Sequence, residues 1–191
     1  MMKRTMIFFA VLAVCLFALN GALVAAEKST ITGAVLAPIK LPVPQDPTAK
    51  NYLGLTGEGS FAISQIKAQV VLIEIFNMYC NNCQREAPRV NELYQLMNKD
   101  TKLKGKIKMI GIGVGNTPLE VEVFKKTYKV AFPLFPDTDY AIHKACGEVR
   151  TPYFIGVKIQ ADGSLNVFLT KEGGFQDPAQ FLKQIVNSSG L

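Results

Sequence analysis

The sequence predicts an α/β protein with a central mixed β-sheet flanked by helices and preceded by an N-terminal extension. Two near-continuous apolar runs, Val70–Phe76 and Ile107–Val114, read as strands buried on both faces. Each is followed by a stretch with helical spacing. Further on, Tyr153–Ile159 and residues 165–170 flank the tight turn Ala161-Asp162-Gly163-Ser164, which makes a hairpin. Strand–helix–strand–helix, then a hairpin and a last helix, gives a sheet that is parallel in its first part and antiparallel at its end.

Taken in order, residues 1–26 read as a targeting segment. Lys3 and Arg4 precede an apolar stretch, and small residues suited to cleavage lead up to Ala26. The stretch 7–26 is also nearly long enough to span a bilayer if left uncut. A secretory signal or an N-terminal anchor is therefore expected, with the mature protein outside the cytoplasm. Cys15 lies inside this segment as a small hydrophobe. Residues 27–40 are an extended lead-in with a short edge strand near 31–35, and 41–191 form one domain. Leu41-Pro42-Val43-Pro44 resists any central strand, because proline cannot donate to a ladder. Residues 61–63 are a short strand and Ser64-Gln65-Ile66-Lys67 a turn.

The helix after Cys83 is expected to reach about Asn98, with Val90, Leu93, Tyr94 and Met97 inward and Pro88 interrupting it. Gly111, Gly113 and Gly115 alternate with apolar residues and lack a following Lys-Ser/Thr, so they are no phosphate loop. Pro118 opens a helix carrying apolar Leu119, Val123 and Tyr128. Phe132-Pro133-Leu134-Phe135-Pro136 brings the chain back, and 137–146 form a short helix. The last helix starts near Asp177-Pro178 and carries Phe181, Leu182, Ile185 and Val186. No internal repeat or second domain is visible.

The formal charge is +6, and without Lys3 and Arg4 it is 19 − 15 = +4. The one basic concentration, Lys99 to Lys108, lies between a helix and a strand and has no interleaved aromatics. Nucleic-acid binding is not expected. Beyond residue 26 three cysteines remain, Cys80, Cys83 and Cys146. A pair plus one odd thiol is a poor disulfide framework but suits a redox pair.

That pair is the chemical centre. The strand Val70–Phe76 delivers Cys80-Asn81-Asn82-Cys83 to the start of a helix, whose N-terminus favours a thiolate. Cys80 is expected to attack and Cys83, one turn on, to resolve. A structural staple or half a zinc site is the alternative. His143 and Cys146 form His-x-x-Cys and would complete four ligands, although such a pair is more often a surface histidine and a buried thiol.

This order of elements, with C-x-x-C opening the first long helix, resembles the thioredoxin fold. Pro88 occupies the place of that family's helix proline, Thr151-Pro152 the place of its cis-proline, and Glu74 that of its buried acid. Cys80-x-x-Cys83-x-x-Glu86-x-Pro88 is similar, more narrowly, to the exported TlpA/ResA/CcmG-like thiol–disulfide oxidoreductases. Tyr79 stands where Trp is usual, and Arg150 where Gly is. The resemblance implies Cys80, Cys83, Glu74 and Glu86 as the reacting and proton-handling groups, and Tyr79, Thr151 and Pro152 as substrate contacts.

Glu74, buried in a strand, is expected to have a raised pKa and to take the proton of Cys83 through a water, or else to pair with a lysine. Glu86, one turn after Cys83, is expected to oppose thiolate formation and make the pair a moderate reductant. No NAD(P)H or flavin motif is present, so no cofactor beyond the Cys80–Cys83 disulfide is expected. The implied partners are an exported protein substrate with a disulfide, such as apocytochrome c, and a membrane thiol electron donor; a monomer is expected. A metal-binding chaperone and a peroxide-reducing relative are the competing functions. The latter would place Pro and Thr where Ile73 and Asn77 stand.

Overall fold

The computed structural model describes residues 32–191; the signal or anchor reading falls on residues outside these. The elements run β1 (Lys40–Pro42), α1 (Pro47–Leu53), β2 (Ser60–Ala62), β3 (Val70–Phe76), α2 (Asn81–Lys99), β4 (Ile107–Val114) and α3 (Pro118–Thr127). There follow β5 (Leu134–Asp137), α4 (Ala141–Ala145), β6 (Tyr153–Ile159), β7 (Leu165–Glu172) and α5 (Pro178–Ser189). Five strands form one sheet in the order β5-β4-β3-β6-β7. β3 is central, parallel to β4 and antiparallel to β6. The expected mixed sheet is present, with its parallel and antiparallel halves meeting at β3.

Side chains alternate across the sheet, so β3 feeds two cores. Val71, Ile73 and Ile75 join a cluster with Leu53 of α1, Phe61, Ile63 and Cys146. Val70, Leu72 and Phe76 join another with Cys83, Val90, Leu93 and Met97 of α2, Phe124 of α3, and Phe181 and Ile185 of α5. By this alternation Glu74 shares the α2 face with Leu72 and Phe76. Gly113 on β4 explains the glycine spacing there: a Cβ would come within 3.1 Å of both the Phe76 ring and the Asn116 side chain. The glycines make room for an aromatic packing, Phe76 stacked on Phe124 at 4.6 Å, not for a phosphate.

Several expectations are corrected. α1 is an element for which the sequence reading had no counterpart: Asp46 caps it, accepting from Thr48 and Ala49 N–H, and Gly54 closes it in the left-handed conformation. As expected, the proline-rich segment forms no central strand; β1 pairs only with β2, outside the main sheet. The returning segment is β5, an edge strand, which tolerates Pro136. Near 31–35, Val35 bridges Asn166 and Gly33 N–H donates to Val167 C=O, so the lead-in runs along the β7 edge. In α3 the inward residues are Val121 and Phe124, while Leu119 and Val123 face solvent. α2 starts at Asn81 and Pro88 lies inside it.

Candidate active site around Cys80 and Cys83

β3 ends at Phe76, and four residues later Cys80 is the N-cap of α2. The functional candidates therefore sit at the carboxyl end of the central strand, where open α/β sheets generally place their chemistry. Both cysteines are free thiols. Cys80 Sγ accepts from the Cys83 backbone N–H at 3.4 Å and donates to the Thr151 carbonyl at 3.4 Å. Thr151 and Pro152 are joined by a cis peptide bond, and the Cys80–Thr151 contact sets the approach to β6 against the α2 N-cap.

The two thiols differ in environment. Partial burial raises the Cys80 pKa, but hydrogen bonds from the Thr151 side chain, the Cys83 thiol and the Cys83 and Asn82 N–H groups outweigh it, and the net shift is downward. Cys83 is fully buried, and that burial, with the neighbouring Cys80, holds its thiol far above its ordinary value. Cys80 is therefore the readier of the two thiols to ionise.

The loop between β3 and α2 is held by side-chain amides. Asn77 donates to the Val114 carbonyl at 2.6 Å and accepts from Tyr79 N–H at 2.8 Å. The fully buried Asn116 accepts from Met78 N–H at 2.9 Å, and Gln84 donates to the Met78 carbonyl at 2.7 Å. Asn116 and Gln84 were not singled out from sequence, and Asn77 only as the position where a peroxide-reducing relative would carry Thr. They come together only when β3 and β4 pair, and the sole local hint was polar residues directly after two apolar strands.

Glu74 is 2% exposed, and among the described residues it makes no ion pair, so the lysine-paired alternative is not realised. Burial first, and then the charge of Glu86, raise its pKa to about 8. Glu86 is also buried, but its oxygens are turned to the segment before α5. One accepts from Phe175 N–H at 2.8 Å and the other faces Arg89 at 3.4 Å. Gly174 lies against this carboxylate so closely that a Cβ could not fit. Glu86 thus ties α2 to the β7–α5 connection, and its charge acts on Glu74.

Tyr79 is 67% exposed, and its hydroxyl donates to Glu120. A shallow groove beside Cys80 is lined by Asn77, Tyr79, His143, Val149, Arg150 and Thr151. His143 uses Nε2 on the Val149 carbonyl at 2.8 Å. Cys146 is buried in the other core, with Ile73 and Ile75, and burial with the Asp137 charge raises its pKa to about 12. The four-ligand set of Cys80, Cys83, His143 and Cys146 is therefore not assembled: among the described residues no three metal-ligating side chains converge.

A β3–C-x-x-C–α2 unit facing a cis-proline, in a β5-β4-β3-β6-β7 sheet, defines a thioredoxin-like protein. Solved structures of similar fold include a thiol:disulfide interchange protein DsbE from Chlorobium tepidum, with a TM-score of 0.60 and 17% identity, covering 84% of this chain and 99% of that one. Bacillus subtilis StoA gives a TM-score of 0.56 at 18% identity, covering 78% and 97%. Residues 43–181 match the AhpC/TSA family, and the chain belongs to it. Similar curated proteins are named thiol-disulfide oxidoreductase ResA. That of Geobacillus kaustophilus is 25% identical over 112 residues, 58% of this chain and 62% of its own length. That of Bacillus subtilis is 30% identical over 118 residues, 61% and 63%. That of Bacillus thuringiensis is 27% identical over 138 residues, 72% and 76%. The chain thus spans less than two thirds of the first two.

Proposed function

We propose that the protein is an exported thiol–disulfide oxidoreductase that reduces disulfides in other exported proteins through Cys80 and Cys83. The observation that carries this reading is the asymmetry of the pair: Cys80 at the α2 N-cap with a lowered pKa and an open groove, Cys83 fully buried with a raised one.

In the reductive direction the Cys80 thiolate attacks one substrate sulfur, forming a mixed disulfide and expelling the other sulfur as a thiolate that takes up a proton. Cys83 then loses its proton and attacks Cys80, closing the Cys80–Cys83 disulfide and releasing the second substrate thiol. Two electrons and two protons pass to the substrate. Glu74, buried on the same face of the sheet, is in its ionised form the proton acceptor for Cys83, reached through a water, and its raised pKa lets it exchange protons near neutral pH. The charge of Glu86 adds to burial in raising the Glu74 pKa. The Thr151–Pro152 backbone, facing Cys80, holds the substrate as an extended segment, and Tyr79 borders it. A membrane thiol carrier restores the dithiol, and apocytochrome c or its maturation partners are the clients. The targeting segment 1–26 supports export.

Turnover is tested by insulin reduction with a small dithiol as electron source, beside hydrogen peroxide consumption under the same conditions. Insulin reduction that fails in Cys80→Ala supports the proposal. Peroxide consumption without insulin reduction would replace it with the peroxide-reducing reading.

A further inference from the structure

Five large hydrophobic side chains stand exposed among the described residues: Val35, Tyr79, Leu119, Val123 and Tyr140. Tyr79, Leu119 and Tyr140 follow closely on β3, β4 and β5, parallel strands whose carboxyl ends face the side that carries Cys80, and Val123 is one turn further along α3. Leu119 and Val123 are one turn apart on α3, 72% and 43% exposed, so they share a strip of the helix surface. Between them in sequence is Glu120, which accepts the Tyr79 hydroxyl. The other oxygen of Glu120 accepts from Thr117 N–H at 2.7 Å and the Thr117 hydroxyl at 2.9 Å, so this carboxylate is itself held by the α3 cap. Asn77 holds the Tyr79 backbone N–H. The Tyr79 ring is thus solvent-exposed yet fixed at both ends.

Fixing an exposed aromatic ring costs rotamer freedom, and a surface prepared in this way loses less on binding. We propose that Glu120 is a positioning residue: it pins Tyr79 beside α3, so that Tyr79, Leu119 and Val123 form a preformed apolar ledge next to Cys80. The ledge binds an apolar segment flanking the disulfide of the protein substrate, which makes it a specificity determinant. This rests on the thiol–disulfide reading above. The occupant follows from continuity with the reacting sulfur. A substrate disulfide must touch Cys80, and a protein partner covers about 800 Å² on each side, more than the groove alone. A second copy seated on the ledge would cover Cys80 and block the reaction.

The test uses two peptides that carry the same disulfide, flanked by leucines in one and serines in the other. Rates of reduction by the reduced protein are compared as a ratio within each variant. The wild type is expected to favour the leucine peptide by about tenfold or more, mainly through KM. Leu119→Gln/Val123→Gln should bring the ratio towards one. Glu120→Ala should lower it, while Glu120→Gln, whose amide oxygen can accept from Thr117 N–H as its NH2 donates to the Tyr79 hydroxyl, should restore most of it. A wild-type ratio near one overturns the proposal, as does an unchanged ratio in the double variant. So does a ratio that grows on dilution, which would mean that a second copy occupies the ledge. Failure to reduce either peptide, or a small aromatic disulfide, would instead overturn the thiol–disulfide reading.

Discussion

Replacing Glu74 by Gln keeps the shape of the side chain and removes its ability to ionise. The pKa of Glu74 is raised from 4.5 to about 8, mainly by burial in the α2 face of β3. In the unfolded chain the carboxyl ionises near its ordinary value; in the folded protein it keeps its proton until pH approaches 8. The folded state therefore binds more protons across this window, and stability falls as pH rises through it. The difference of 3.5 units, at about 1.4 kcal/mol per unit, sets a ceiling of about 5 kcal/mol lost between pH 4 and 9. Most of it is lost by pH 8. Urea unfolding of the wild type and Glu74→Gln at closely spaced pH values measures it, and other titrating groups cancel in the difference. The expected result is that Glu74→Gln gains on the wild type steadily from pH 5 to 8 and then levels off. Parallel pH profiles would show that Glu74 ionises normally in the folded protein, and would remove the reason for assigning it the proton of Cys83.

Gly174→Ala forces a methyl group onto the Glu86 carboxylate, so the carboxylate must shift off Phe175 N–H or the segment before α5 must move; a loss of about 1–3 kcal/mol is expected in thermal or urea unfolding. Asn116→Ala leaves Met78 N–H without its acceptor and should cost about 1–3 kcal/mol, with a lower rate of Cys80 alkylation as the 77–79 loop loosens. In the reduced, folded protein iodoacetamide should label Cys80 while Cys146 stays unlabelled until denaturant is added, because Cys146 is buried and its thiol is held up near 12. Mass spectrometry of the labelled peptides reads the last two.

The long apolar runs made most of the fold legible. Val70–Phe76 and Ile107–Val114 are buried at every position, so their sequences carry no alternation that could mislead. α1 escaped because seven residues with two buried positions have no usable periodicity, although Asp46, Pro47 and Gly54 spelled out its caps. The α3 face was misjudged because Leu119 and Val123 satisfy helical spacing as well as Val121 and Phe124 do. Spacing reveals that an apolar strip exists, not whether the core or a partner covers it. At the site, Cys80, Cys83 and Glu74 were legible because each is marked by a local pattern. Asn116 was not, since an amide that holds a loop from 38 residues away leaves no mark near that loop. Glu86 was legible as an acid one turn after Cys83 on α2, but its burial and its grip on Phe175 N–H depend on where α5 docks.

The central claim, that Cys80 attacks and Cys83 resolves, is tested most directly by trapping. Cys83→Ala, expressed with its own N-terminal segment and isolated from the cell envelope under acid quench, should carry partner proteins in disulfide linkage through Cys80. Cys80→Ala should carry none. Adducts formed by Cys80→Ala through Cys83, or none formed by either variant, would contradict the account.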